Sequence, residues 1–92
     1  MAKIKLLTFA RVKQIIGVKQ KEMEANTIQD LLDKLTLEYG NILQEELFDT
    51  SGDLRKHYRI VVNGRNINLL NGFQTKLKDE DMVVIMPAMA GG

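Results

Sequence analysis

The residues with the clearest potential for chemistry stand at the end of the sequence. After Pro87 the chain reads Ala88, Met89, Ala90, Gly91 and Gly92, so mostly small side chains lead to two glycines and a carboxylate. Glycine has no Cβ, so such an end can enter a narrow tunnel on another protein in backbone conformations closed to other residues. A carboxylate is a poor electrophile, and it needs an activating group, typically AMP from ATP, before sulfur or an amine can displace that group. The alternative is a frayed chain end without function.

Other catalytic chemistry finds little support in the residue inventory. The sequence has no cysteine, which excludes disulfides, thiolate metal sites and a cysteine nucleophile. Its one histidine, His57, is not part of a cluster with metal-ligand spacing, so we expect no metal site and a surface position for this residue. The adjacent acids Asp79, Glu80 and Asp81 are interpreted as a solvated turn rather than a cation site. No glycine lies in a phosphate-loop pattern.

Length, composition and charge indicate one folded domain with faces of different charge. The chain has 92 residues, of which 45% are apolar and 27% charged. It has neither a signal-peptide pattern nor an apolar run of about 20 residues, so we expect a cytoplasmic protein without membrane contact. The net charge of +1 offers no general attraction for nucleic acid. Residues 26–53 nevertheless hold seven acids and one base, whereas residues 1–25 and 54–92 hold six bases each. This asymmetry is typical of a surface that docks a partner.

The first half of the chain is expected to supply some of the strands and helices that position the C-terminal glycines. Alternating apolar residues predict a strand over 3–9, and residues 10–17 suit a connection or a short helical turn. Residues 18–25 are predicted to form an exposed strand paired back to the first. A helix is predicted over 28–39, because Thr27 is a good N-cap and apolar residues follow at helical spacing.

The second half of the chain is rich in strand and turn signals. The pattern predicts a second short helix over 41–48, a loop over 49–53, and strands over 58–62, 65–69 and 82–86. The first two of these strands are joined by the Asn63-Gly64 turn, and the last is a continuous apolar run that predicts a buried central strand ended by Pro87. We therefore expect an α+β fold in which the first and last strands are central neighbours beneath one main helix.

Taken in order, these features resemble the ubiquitin-like β-grasp sulfur carriers, and specifically the MoaD family, the small subunit of molybdopterin synthase, with its ThiS-like relatives. The resemblance covers essentially the whole chain. It is carried by residues 3–17, 27–32 and 77–87, by Asn63-Gly64 and by the final Gly91-Gly92. It implies a β-grasp domain over 1–87, with a mixed sheet of about five strands on one main helix, and a flexible functional tail over 88–92.

The resemblance also implies a function for the tail. In the family, an E1-like adenylating enzyme (MoeB-like or ThiF-like) uses ATP to activate the terminal glycine, which becomes a thiocarboxylate. Gly92 would then carry the sulfur, and Pro87, Ala88, Met89, Ala90 and Gly91 would lead it to the partner. A MoaE-like large subunit would receive the sulfur and place it on a pyranopterin precursor of molybdopterin. No cofactor would be bound permanently, and the protein would be a reactant rather than an enzyme by itself.

Partner docking is the least specific implication of the resemblance. Phe9, Lys13, Ile67 and Met86 match the family's apolar and basic docking face, although Phe9 and Met86 equally suit a core and Lys13 a solvated surface. Three positions depart from the family: Ala88 replaces a proline, Ala90 replaces a larger apolar residue, and Glu80 stands where glycine is usual. Other members of this fold supply sulfur for thiamine or for transfer-RNA thiolation, or become attached to lysines of other proteins. These destinations remain open alternatives.

Overall fold

The chain folds around a five-stranded mixed sheet, described for residues 2–88 by a computed structural model. The elements follow in the order β1 (Ala2–Thr8), α1 (Ala10–Ile16), β2 (Gln20–Ala25), α2 (Ile28–Tyr39), α3 (Asn41–Leu47), β3 (Tyr58–Val62), β4 (Arg65–Asn66), two 3₁₀ turns (Ile67–Leu69 and Gly72–Gln74) and β5 (Met82–Pro87). The strands lie in the order β2-β1-β5-β3-β4. The first and last strands are therefore central neighbours, as predicted, and they run parallel.

One face of the sheet forms the core together with the helices. In β1 the side chains of Ile4, Leu6 and Thr8 are fully buried on one side of the strand. Val83 and Ile85 of β5 are buried on the same core side and belong to the same apolar cluster as the buried residues of α2. Apolar burial of this kind is the main contribution to folding.

The main helix begins and ends where its local signals predicted. The Thr27 hydroxyl accepts a hydrogen bond from the N–H of Asp30 at 3.1 Å, and the Asp30 carboxylate accepts from the N–H of Asn26 at 2.9 Å. This is close to a capping box, shifted outward by one residue. At the other end, Gly40 has a φ of +76° and separates α2 from α3, a conformation that favours glycine.

The other elements before β3 also match the predictions. The segment after β1 forms α1 and ends at Gly17, and β2 pairs antiparallel with β1, as expected for an exposed strand. The second short helix is α3, and the loop over 49–53 is ordered by the Asp49 side chain, which accepts hydrogen bonds from two backbone N–H groups of the same loop. Within residues 2–88, no helix has the length and apolar character needed to cross a membrane.

Two strand predictions are corrected by the structure. The strand predicted over 65–69 stops at Asn66, because the Asn66 side chain accepts a hydrogen bond from the N–H of Asn68 at 2.9 Å and starts a 3₁₀ turn. The strand predicted over 82–86 is central, but only Val83 and Ile85 are fully buried. The alternating side chains, Met82, Val84 and Met86, face the second side of the sheet, where they are half-buried.

Candidate functional site

The end of β5 is the point from which the tail leaves the sheet. β5 lies between β1 and β3, and it extends one residue further than predicted, with Pro87 opposite Tyr58. Pro87 has no backbone N–H, but the next residue supplies the hydrogen bond to the chain at β3. The N–H of Ala88 donates to the carbonyl oxygen of His57 at 2.8 Å. The chain is therefore held by the sheet as far as Ala88. The remaining predicted tail residues, Met89, Ala90, Gly91 and Gly92, lie outside the described residues.

A partly buried polar network supports the sheet next to this exit. The hydroxyl of Tyr58 donates to Glu46 Oε2 at 2.5 Å, and Arg11 Nε lies 3.9 Å from Glu46 Oε1. The network therefore joins β3, α3 and α1. Two causes raise the pKa of Tyr58 well above its usual range. The larger is burial of the side chain, and the second is its hydrogen bond to the Glu46 carboxylate. The hydroxyl consequently remains a donor throughout the physiological pH range.

Three of the four predicted docking residues lie at the same end of the sheet as the tail exit. Thr8 pairs with Ile85, and Phe9 and Met86 are the next residues along these parallel strands. Phe9 precedes α1, and the Lys19 ammonium lies 5.4 Å from the centre of its ring. This contact is in the range of a cation–π interaction.

Lys13 and Ile67 occupy different environments from this pair. Lys13 is exposed on α1, and its N–H donates to the carbonyl oxygen of Phe9 at 3.2 Å, which places it one helical turn from the sheet. Ile67 is only 3% exposed and belongs to the core cluster, at the start of the first 3₁₀ turn. The Ile67 side chain is therefore part of the core rather than of an exposed face.

The second side of the sheet is open, and its centre is apolar. The strand register places Leu7, Val84 and Val61 in one row across β1, β5 and β3, and all three are half-buried. Met86 pairs with Arg59 in the neighbouring row nearer the tail exit. We call the surface formed by Leu7, Val61, Val84, Met86 and Arg59 the open face. A half-buried apolar row with a basic edge is suited to contact a partner.

Sequence reasoning identified Met86 but missed the rest of the open face and the network of Tyr58. The sequence did contain a signal for the open face. Residues 82–86 and the first strand carry apolar residues on both sides of the sheet, but the single predicted layer of helices can cover only one side. The Tyr58–Glu46–Arg11 network gave no such signal, because its members are 12 and 35 residues apart in sequence.

The fold places the acidic and the basic segments of the sequence in different elements. The acidic residues 26–53 form α2, α3 and the following loop, whereas basic residues lie on α1, β1 and the chain around β3. Lys56 and Arg59 line the same cavity as Ala88, so basic groups lie beside the end of the described chain. In the described range 2–88, no group of three or more His, Asp or Glu side chains is placed to hold a metal ion.

Comparison with known proteins finds consistent similarity over the whole chain. The model of the ThiS family matches residues 6–92. Small archaeal modifier protein 3 of Haloferax volcanii is 30% identical and matches 97% of this chain and 98% of its own length. The sulfur carrier protein CysO of Mycobacterium tuberculosis is 33% identical, with 83% of each chain covered. The solution structure of small archaeal modifier protein 1 from Methanosarcina acetivorans superimposes with a TM-score of 0.85 at 31% identity, covering 100% of this chain and 98% of that one.

Proposed function

We propose that the chain, which belongs to the ThiS family of ubiquitin-like β-grasp sulfur carriers and modifiers, is a sulfur carrier that works through the carboxylate of Gly92. The observation that carries the proposal is the central position of β5, whose end is tied to β3 through Ala88. Four residues follow Ala88 in the sequence, and at about 3.3–3.6 Å per residue they span at most ~14 Å when extended. That length suits insertion into the active site of a partner docked on the open face.

The chemistry requires activation by a partner enzyme. The Gly92 carboxylate attacks the α-phosphate of ATP and forms an acyl-adenylate, and pyrophosphate leaves. A hydrosulfide-level sulfur donor then attacks the acyl carbon, the bond to AMP breaks, and a thiocarboxylate remains. No redox change at Gly92 is needed, because sulfur simply replaces one oxygen. ATP is thus a substrate of the activating enzyme, and this chain contributes the acyl group and the docking surface.

The first destination that we propose for the sulfur is molybdopterin, with this chain as the small subunit of molybdopterin synthase. The proposal is supported by the resemblance of residues 77–87 and of Gly91-Gly92 to the MoaD family. In this role an E1-like enzyme activates the tail, and a large subunit supplies the acid, base and substrate-binding groups. Phe9, Lys13 and Met86 would contribute to the docking of one or both partners.

A gene deletion with rescue tests this destination. Removal of the gene from its host should abolish molybdoenzyme activity, and the wild-type gene should restore it. A variant lacking Gly92 should fold normally but fail to restore the activity. Loss of activity that is rescued equally well by the variant lacking Gly92 would refute the role of the tail, and unchanged activity in the deletion strain would refute molybdopterin as the destination.

The second candidate function is attachment to other proteins, and the similarity to two small archaeal modifier proteins favours it. Here a lysine amine attacks the activated Gly92 carbonyl, the activating group leaves, and the amine loses a proton to give an isopeptide bond. Detection needs care, because Lys78 is the last basic residue of the sequence and trypsin would leave residues 79–92 on the target lysine.

An Ala90→Arg variant makes this second function easy to detect. Trypsin then leaves only Gly91-Gly92 on each modified lysine, and an otherwise identical variant without Gly92 is the matched control. Lysines that carry this remnant with Ala90→Arg and lack it with the control would establish conjugation. If the long remnant is absent with the wild-type protein and the short remnant is absent with the variant, conjugation is refuted under the growth conditions used.

A further inference from the structure

Two adjoining cavities lie beside the exit of the tail, on the side of β3 that faces away from β5. Their volumes are about 480 Å³ and 180 Å³. They share five lining residues, so they form one continuous depression, which we call the side groove: Leu54, Lys56, Tyr58, Ile67 and Asn68. Ala88 lines the smaller cavity, so the groove reaches the point where the described chain ends.

The side groove exists because the pairing of β3 with β4 is short. Only Val61 and Val62 of β3 pair with β4, and the chain then turns away into the 3₁₀ turn. The opposite wall is the segment before β3, which is fixed by Arg55. Its N–H donates to the carbonyl oxygen of Leu47, and its Nε donates to the carbonyl oxygen of Glu45, both at 2.8 Å. Both walls are therefore held by hydrogen bonds within the fold.

The floor of the groove is apolar in part, because Asn66 and Asn68 line it beside Tyr58 and Ile67, and its rim is basic. Tyr58 and Ile67 are 7% and 3% exposed, and the half-buried Phe73 packs edge-on against Phe48 with ring centres 6.1 Å apart. The basic lining residues are Arg55, Lys56 and Arg59, and none of them forms an ion pair within residues 2–88. Asp53 is the acid among the lining residues of the larger cavity. Positive charge thus exceeds negative charge around the groove.

We propose that the side groove binds an extended acidic segment of a partner protein. One bulky apolar side chain of that segment would lie over Tyr58 and Ile67, and its carboxylates would face Lys56 and Arg59. Three cations around a partly apolar floor suit such a peptide better than a nucleic acid, which needs a longer series of cations along its phosphates. A segment bound here lies beside Ala88, so it would hold the partner next to the tail whichever reaction Gly92 undergoes.

A titration followed by amide NMR shifts tests this assignment. The probe is a short synthetic peptide in which glutamate alternates with valine around one central phenylalanine, added to the full-length protein labelled with ¹⁵N. We expect shifts confined to residues 54–60, 66–68 and 72–73, and binding that weakens as salt is added. The same peptide with lysine in place of glutamate should cause no such shifts. Shifts centred on Leu7 and Val84 instead, or no shifts at millimolar peptide, would overturn the proposal.

Two matched charge reversals separate the groove from general attraction. Lys56→Glu should weaken peptide binding roughly fivefold, because it replaces an attractive charge contact with a repulsive one. Lys76→Glu makes the same change of net charge at an exposed position outside the groove, and it should leave the affinity unchanged. Equal weakening by both variants, or no weakening by Lys56→Glu, would show that the peptide does not bind in the side groove.

Discussion

The hydrogen bond between Tyr58 and Glu46 allows a quantitative test of how the tail exit is supported. Tyr58→Phe removes one hydroxyl and leaves the ring, so the packing around the 7% exposed side chain is retained. Among residues 2–88, the change leaves Glu46 with the 3.9 Å contact to Arg11 as its remaining side-chain partner. The experiment therefore isolates the hydrogen bond that joins β3 to α3, next to the residue that holds Ala88.

The expected loss of stability follows from the charge and the exposure of the acceptor. A hydrogen bond to a charged group contributes about 1.5–3 kcal/mol to folding. The Glu46 side chain is 24% exposed, so water can replace part of the lost interaction. We therefore expect Tyr58→Phe to lower the free energy of unfolding by about 1.5 kcal/mol at neutral pH.

Urea unfolding monitored by circular dichroism measures this change, and Tyr39→Phe is the matched control. Tyr39 is half-buried at the end of α2, where the Lys21 ammonium lies 5.8 Å from the centre of its ring, a contact that phenylalanine retains. The control should therefore lose less than about 0.5 kcal/mol. A loss below about 0.5 kcal/mol for Tyr58→Phe, or equal losses for both variants, would contradict a stabilising bond at this site.

The same pair of proteins has a predictable pH dependence. Because the folded-state pKa of Tyr58 lies above its ordinary value of 10.0, the stabilisation is fully present below pH 10.0 and is lost as the pH rises toward the folded-state pKa. The stability difference between wild type and Tyr58→Phe should thus be constant from pH 7 to 9 and shrink above pH 10. A difference that grows with pH in this range would contradict the direction of the pKa shift.

Three further substitutions test separate parts of the account. Thr27→Ala removes the hydroxyl that caps α2 and should cost about 1 kcal/mol in urea unfolding, whereas Thr50→Ala in the exposed loop should cost almost nothing. Glu80→Gly should raise the free energy of unfolding by about 0.5–1 kcal/mol, and with it the melting temperature, because Glu80 has a φ of +73°. An unchanged melting temperature would show that this backbone is unstrained. Lys13→Glu should change stability by less than about 0.5 kcal/mol while weakening binding to the activating enzyme, and a large loss of stability would show that Lys13 is structural.

Local signals predicted most of the fold. Thr27 and Gly40 bound α2 because capping depends on the few residues at each end of a helix. The strand over 65–69 was predicted wrongly because β-propensity does not register a competing side-chain hydrogen bond, and the Asn66 side chain ends the strand after two residues. Long-range pairing decided the rest, such as the antiparallel pairing of β5 with β3 on its other side.

In the candidate site, too, the sequence predicted the local features and not those that depend on long-range contacts. The chemical end of the molecule was visible in the sequence, because Gly91-Gly92 is a contiguous motif. The support around it was not, because Tyr58, Glu46 and Arg11 meet only through the fold. Ile67 shows a further property that the resemblance did not predict, because it matched the residue type and position but not the burial of the side chain, which is 3% exposed.

The most direct test of the central claim is the intact mass of the protein after incubation with ATP, the activating enzyme of its own host and a sulfide source. We expect a species heavier by the exchange of one oxygen for sulfur, located by fragmentation at Gly92. Omission of ATP should abolish it, and a variant lacking Gly92 should not form it. Exclusive recovery of the free acid, with an activating enzyme that converts a known carrier in the same assay, would contradict the assignment of this chain as a sulfur carrier.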